Sequence, residues 1–328
     1  MPAARRSARG EHGDYGLPAE PGWRGVDWPA LTHTAQIAGR SVNYVDHGTG
    51  DRAVVFIHGL GGSWQNWLEN IPAAAAAGSR AIALDLPGFG RSQMPVAPIT
   101  MTGYAKTVDD LCDALGLASV AVVGNSMGGF AAAEMAIRHP DRVERLVLVD
   151  AAGISTALGR NPISERVGKF LVTGVIGGGG SAPTEKQMKA MMSRPGFRHM
   201  AMAAVARHPT LIAREMLAEQ MQSLGAAGFM PALDAILGYE FLDRLGEIAC
   251  PTLVIQGSDD VIVPLGDAYE YERRIDKATT LILEDTGHVP MFERPATFNG
   301  ALLEFLGQDV SPHEPTAGES PILAQERV

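Results

Sequence analysis

Residues 120–139 read VAVVGNSMGGFAAAEMAIRH, and this stretch decides the fold. Val120–Val123 is a short, continuously apolar run, the pattern of a strand buried on both faces of a parallel sheet. From Met127 the chain becomes alanine-rich, with a helical pattern to Arg138. Between the two sits Gly124-Asn125-Ser126-Met127-Gly128, which fits G-x-S-x-G. A sharp strand-to-helix turn lifts the serine Oγ clear of the backbone, and flanking glycines permit so tight a turn. The helix N-terminus beneath favours developing negative charge. Ser126 is therefore the candidate nucleophile.

Working outward, the same strand–helix alternation recurs. Short apolar or β-branched runs lie at Val42–Val45, Ala53–Ile57, Ala81–Leu84, Leu146–Val149, Thr252–Ile255 and Thr280–Leu283. Helical patterns at Thr102–Leu115 and Asp267–Arg274 fall between them. Alternation of this kind predicts an α/β fold with a doubly wound, mostly parallel sheet. The core is expected over residues 31–152 and 246–307.

The alternation breaks over residues 153–245, which read as an inserted helical cap or lid above the ligand-binding edge of the sheet. Eight methionines fall there: Met188, Met191, Met192, Met200, Met202, Met216, Met221 and Met230. They could line a pocket for variable apolar ligands or simply pack the insertion on the core. Gly177–Gly180 reads as a joint. Residues 1–30 and 308–328, rich in glycine, proline and charge without a period, are expected to be mobile tails.

A serine hydroxyl needs a base. Among nine histidines, His288 lies in Glu284-Asp285-Thr286-Gly287-His288, just after the last apolar strand, in a loop at the same sheet edge as Ser126. His139 reads as a helix cap, His199 and His208 as pocket walls in the insertion. The base needs a carboxylate to fix its tautomer. Gln256-Gly257-Ser258-Asp259-Asp260 follows the strand PTLVI and favours Asp260, with Asp259 shaping the turn. Asp150, ending another strand, is the alternative. The order Ser, Asp, His is the one this kind of fold requires.

Acyl transfer also needs two N–H donors at the oxyanion. Met127, after the nucleophile, offers one. Leu60, in His58-Gly59-Leu60-Gly61-Gly62, offers the other, and His58 reads as a structural hydrogen-bonder. Asp85-Leu86-Pro87-Gly88-Phe89-Gly90-Arg91-Ser92 reads as a structural turn with Phe89 lining the pocket. No phosphate-binding glycine motif, H-E-x-x-H or paired-cysteine site is present, so no nucleotide, nicotinamide or metal cofactor is expected.

Composition narrows the class. The chain has 328 residues, 46% hydrophobic and 20% charged, enough for a large core. Its formal charge of −10 argues against a general nucleic-acid binder. No apolar run is long enough to span a bilayer, and no apolar segment follows the N-terminal arginines as in a signal peptide. Two cysteines, Cys112 and Cys250, make a disulfide framework improbable and a cytoplasmic location the default.

Taken together, HGLGG, DLPGFGRS, GNSMGG, GSDDVIVP and TGHVPMFERP resemble the motifs of the α/β-hydrolase superfamily, in its order, across residues 32 to 307. The resemblance implies an eight-stranded sheet and a serine hydrolase without cofactor. The chain looks like the carboxylesterases and lipases of that fold, acting on a small hydrophobic ester. Epoxide hydrolases and haloalkane dehalogenases carry aspartate where Ser126 stands. Carbon–carbon bond hydrolases of aromatic ring-cleavage products share GNSMGG, and Asn125 matches them. They carry HGSGPG-like and GHW-like segments where this chain has HGLGGS and GHVP. Cofactor-free perhydrolases share the triad, and a non-catalytic receptor could retain it.

Overall fold

The computed structural model describes residues 6–8, 14–157, 185–223 and 225–307. Nine strands form one sheet: β1 (Arg6–Ala8), β2 (Thr32–Ile37), β3 (Arg40–His47), β4 (Arg52–Ile57), β5 (Ser79–Leu84), β6 (Val120–Asn125), β7 (Val143–Val149), β8 (Thr252–Gly257) and β9 (Ala278–Leu283). Their order is β1-β9-β8-β7-β6-β4-β5-β3-β2. Only β2–β3 and β3–β5 pair antiparallel. The eight strands the resemblance implies are β2 to β9, and β1 adds a parallel edge beside β9.

Alternation along each strand fills two cores. In β4, Val55 and Ile57 join the core with Tyr104, Val108 and Phe130, while Val54 and Phe56 join the one with Trp67, Ile71 and Phe298. Both faces are therefore covered, which explains why β4 and β6 read as unbroken apolar runs.

The order places the site. β5 lies on one side of β4 and β6 on the other, so the chain reverses direction across the sheet between β4 and β6. Ile57 pairs with Gly124, so the loops after these strands leave side by side. Ligands bind at such a switch point, outside the carboxyl ends of the strands. Asn125 pairs with Val149, Val149 with Ile255, and Gly257 with Leu283, which brings the loops after β7, β8 and β9 to the same edge.

One expectation changes. Residues 14–30, read as part of a mobile tail, are packed on the core. Asp14 pairs with Arg294 at 2.5 Å, Ala19 N–H donates to Glu69 at 2.8 Å, and Trp23 is buried. The segment lacks a period because it is fastened by single contacts to distant residues rather than by a repeating face. The insertion is helical where described, at Glu185–Met192, Pro195–Met202, Arg214–Gln220 and Phe229–Leu237. Met188, Met192, Met202 and Met216 are buried in the second core, whereas Met200 and Met230 are exposed. Packing accounts for those four. Gly177–Gly180 and the C-terminal segment from 308 lie outside the described residues. Among the described residues no helix is long and apolar enough to cross a membrane.

Candidate active site

Ser126 stands between β6 and the helix Met127–Arg138 with φ 55° and ψ −117°, a conformation that L-residues avoid. Its N–H donates to Val149 O at 2.9 Å, and its O accepts from Phe130 N–H and Ala152 N–H, each at 3.1 Å. The glycines answer to distance. A Cβ at Gly124 would lie 2.2 Å from Gly128 O, and one at Gly128 would lie 2.2 Å from Ile57 O. Both neighbours are backbone and cannot step aside. Gly128→Ala is accordingly expected to cost about 3 kcal/mol, as overpacking of a close-packed site does, and chemical denaturation would measure it. A stability equal to wild type would mean that the turn is looser than these distances require.

The first N–H groups of this helix, Met127 among them, have no acceptor within the helix. The loop after β4 lies against them. A Cβ at Gly59 would fall 2.9 Å from Asn125 Oδ1 and 3.2 Å from Ser126 Cβ, so only glycine lets the main chain before Leu60 pass this close. Leu60 follows directly, half-buried. The structure thus brings the loop that carries Leu60 against the serine turn, with Met127 the first residue of the helix that follows it.

His58 holds that loop. Its Nε2 accepts from Leu86 N–H at 3.0 Å, so its Nδ1 carries the proton and donates to Gly59 O at 2.7 Å. The ring is fully buried, and burial pushes its pKa down despite the nearby Asp85. The unfolded histidine takes up a proton below about pH 6.5 while the folded one does not. Stability from this site is therefore complete above that pH and falls as the pH drops, by at most about 1.4 kcal/mol per unit. Urea denaturation at pH 7 and pH 5 should show a loss in the wild type that shrinks in His58→Gln. Equal losses in both proteins would sink this account.

The acid and base come from the loops after β8 and β9. His288 Nδ1 lies 2.7 Å from Asp260 Oδ2, with both side chains almost wholly buried. Asp260 is fixed in turn. Its Oδ1 accepts from Ile262 N–H at 2.7 Å and Val263 N–H at 3.0 Å, and its Oδ2 from Gln256 Nε2 at 3.1 Å. Nδ1 is thereby committed, which leaves Nε2 for the serine. Asn125 ties the parts together, its Nδ2 donating to Val149 O and to His288 O, each at 3.2 Å. Asp259 turns instead to Ser258 and Arg207.

One residue escaped the sequence reading. Glu293, fully buried, accepts from Gly287 N–H at 3.0 Å and Val289 N–H at 3.2 Å, the amides on either side of His288. It also accepts from Arg207 N–H at 2.8 Å and from the Tyr15 hydroxyl. Burial raises its pKa, and these four donors oppose the rise. His288 N–H itself donates to Val205 O of the insertion at 2.8 Å. The base is thus clamped by the chain before β2, the insertion and its own loop together. The only sequence signal was the position of Glu293 five residues after His288, inside TGHVPMFERP. Glu293→Gln puts an amide N–H where an acceptor is needed, and should cost about 2–4 kcal/mol of stability. Urea midpoints would show it, and an unchanged midpoint would refute the clamp.

Other expectations resolve plainly. His139 caps the helix Met127–Arg138 and lies 3.4 Å from Asp109. His199 is exposed and His208 pairs with Asp285 at 2.8 Å, so neither is seen walling a pocket. Phe89 is buried in the core with its ring against His58 rather than lining the site. Asp85 is structural, accepting from Trp64 N–H at 2.8 Å, Asn43 Nδ2 at 2.9 Å and Arg91 N–H at 2.9 Å. Among the described residues two groupings bring possible metal-ligand atoms together, Asp150/Asp260/His288 and Asp109/Asp110/Asp113. In the first, the 2.7 Å hydrogen bond fills the space an ion would need. In the second, Arg142 already pairs with Asp109 and Asp113.

Residues 52–295 match the family described as alpha/beta hydrolase fold. A 2-hydroxy-6-oxononadienedioate/2-hydroxy-6-oxononatrienedioate hydrolase of Paraburkholderia phymatum is 32% identical over 81% of this chain and 91% of its own. The dihydrolipoyllysine-residue acetyltransferase component of an acetoin cleaving system from Cupriavidus necator is 30% identical over 86% of this chain and 70% of its own. Among solved structures, a thermophilic esterase from Thermogutta terrifontis superposes with a TM-score of 0.64 at 25% identity, covering 84% of this chain and 97% of that one. The nucleophile turn, the strand order and the matched span agree, and the chain belongs to the α/β-hydrolase fold family.

Proposed function

We propose that the protein hydrolyses carboxylic esters of apolar substrates through an acyl-enzyme on Ser126. The observation that carries this reading is the 2.7 Å hydrogen bond between Asp260 and His288 Nδ1, at the sheet edge where Ser126 sits in its strained turn. His288 Nε2 takes the proton from Ser126 Oγ as it attacks the ester carbonyl. The N–H groups of Leu60 and Met127 receive the oxyanion. The imidazolium then protonates the leaving alcohol, and a water activated by His288 releases the acid. Asp260, as carboxylate, holds the ring and stabilises the imidazolium throughout.

Three contacts support a lid role for the insertion. Gly228 N–H donates to Gly88 O at 2.9 Å, Gln220 Nε2 donates to Gln65 O at 2.8 Å, and the Phe229 ring lies over Gly61. Four of its five described arginines already have protein partners: Arg198 with Ile212 O, Arg207 with Asp259 and Asp285, Arg214 with Glu215, and Arg244 with Glu134 and Glu247, while Arg194 is exposed. We take the enzyme to work in the cytoplasm.

Carbon–carbon bond hydrolysis of a dienol ketone is the second reading, favoured by Asn125 and by the 32% identical relative. One assay separates the two. Wild type and Ser126→Ala are given p-nitrophenyl esters from acetate to palmitate and, in parallel, a coloured ring-cleavage product. Serine-dependent ester turnover with an inert dienol supports the first reading. The opposite pattern replaces it with the second.

A further inference from the structure

Asp150 directly follows β7, beside the acid and base, without being needed by either. Its side chain is wholly buried, and its backbone takes φ 45°, a strained value for an aspartate. Its N–H donates to Ile255 O at 2.8 Å, and its Oδ1 accepts from Gly257 N–H at 2.9 Å. Its Oδ2 has no hydrogen-bond partner among the described residues. Yet one ligand atom each from Asp150, Asp260 and His288 lie within 4.8 Å of one another. A carboxylate oxygen this deeply buried loses its solvation and is repelled by the neighbouring Asp260 charge, so burial and repulsion both disfavour its ionised form.

We propose that Asp150 is a positioning residue that stays a neutral carboxylic acid and directs its proton from Oδ2 to Asp260. Asp260 then shares its charge with Asp150 and with His288, and the base is held less tightly by its partner than a lone carboxylate would hold it. Burial first, and the neighbouring Asp260 charge next, hold the Asp150 carboxyl well above the usual carboxylate range. The charged or titratable groups that face it are Asp260, His288 and, further off, Glu293, while the Gly257 N–H acts the other way. The inference rests on the Asp260–His288 assignment, but its test needs no turnover.

The experiment is infrared difference spectroscopy of the full chain at neutral pH, wild type against Asp150→Asn. A protonated-carboxyl C=O band present in the wild type and missing from the variant is expected. A difference spectrum showing instead the loss of an ionised carboxylate would overturn the proposal. NMR titration of the His288 ring gives an independent reading. Asp150→Asn keeps a neutral donor toward Asp260 and should leave the midpoint in place. Asp150→Ala removes it and should raise the midpoint by about 0.7 pH unit, the equivalent of one hydrogen bond. A midpoint that falls in Asp150→Asn would mean that a negative charge had been removed, and would also overturn the proposal. Absent ester hydrolysis would sink the ester reading and leave both measurements standing.

Discussion

Ser126→Ala is expected to leave a folded protein whose ester turnover has dropped by roughly 10³-fold or more, as triads do when one member is lost. The fold should survive because every bond Ser126 makes to hold the turn is through its backbone, to Val149 O, Phe130 N–H and Ala152 N–H. Alanine keeps those and keeps a Cβ at φ 55°, so the local strain is unchanged. Only Oγ is missing. The rate that remains would come from the donors around the oxyanion and from substrate binding, which outlast the nucleophile. The check is steady-state hydrolysis of the preferred p-nitrophenyl ester, with circular dichroism to confirm folding. A clean variant with near-wild-type turnover would remove Ser126 from the chemistry.

How much of this the sequence discloses depends on how far apart the interacting residues lie along the chain. The nucleophile turn is legible because its causes are local: the apolar run, both glycines and the helix all fall within residues 120–139. The helix was expected from Met127 to Arg138, and it occupies those residues. Asp260 and His288 are legible one step further out, as polar residues in loops that follow apolar strands. The clamp on His288 is not legible. Tyr15 and Glu293 are 278 positions apart, and Arg207 and Glu293 are 86 apart, so no window of sequence holds both partners. Residues 14–30 were misread for the same reason. Asp14 looks like a tail residue until Arg294 is beside it. The methionines of the insertion fail differently. Their count says that the segment is apolar and adaptable, but not which of them turn inward. Met188 and Met192, one helical turn apart, lie on the buried side, while Met200 faces out in the next helix.

Asp260→Asn carries the second large effect. An asparagine at 260 can keep its oxygen on Ile262 N–H and Val263 N–H, where Asp260 Oδ1 now sits. Its amide nitrogen then faces His288 Nδ1 and the donor Gln256 Nε2, where Oδ2 accepts from both. To meet an N–H, His288 must present an unprotonated Nδ1 and carry its proton on Nε2. That is the tautomer that cannot accept a proton from Ser126. The imidazolium formed during attack also loses its counter-charge. A fall of about 10⁴-fold in kcat is expected, the scale seen when an orienting aspartate becomes an amide in a triad, with substrate binding much less affected because the acid does not touch the substrate. Asp150→Asn should lose far less, since it exchanges one neutral donor for another. The two variants therefore separate the two carboxyls that sequence alone leaves as rivals. If Asp260→Asn turned over almost normally and Asp150→Asn were dead, the orienting acid would be Asp150, and the hydrogen bond at 2.7 Å would be structural only.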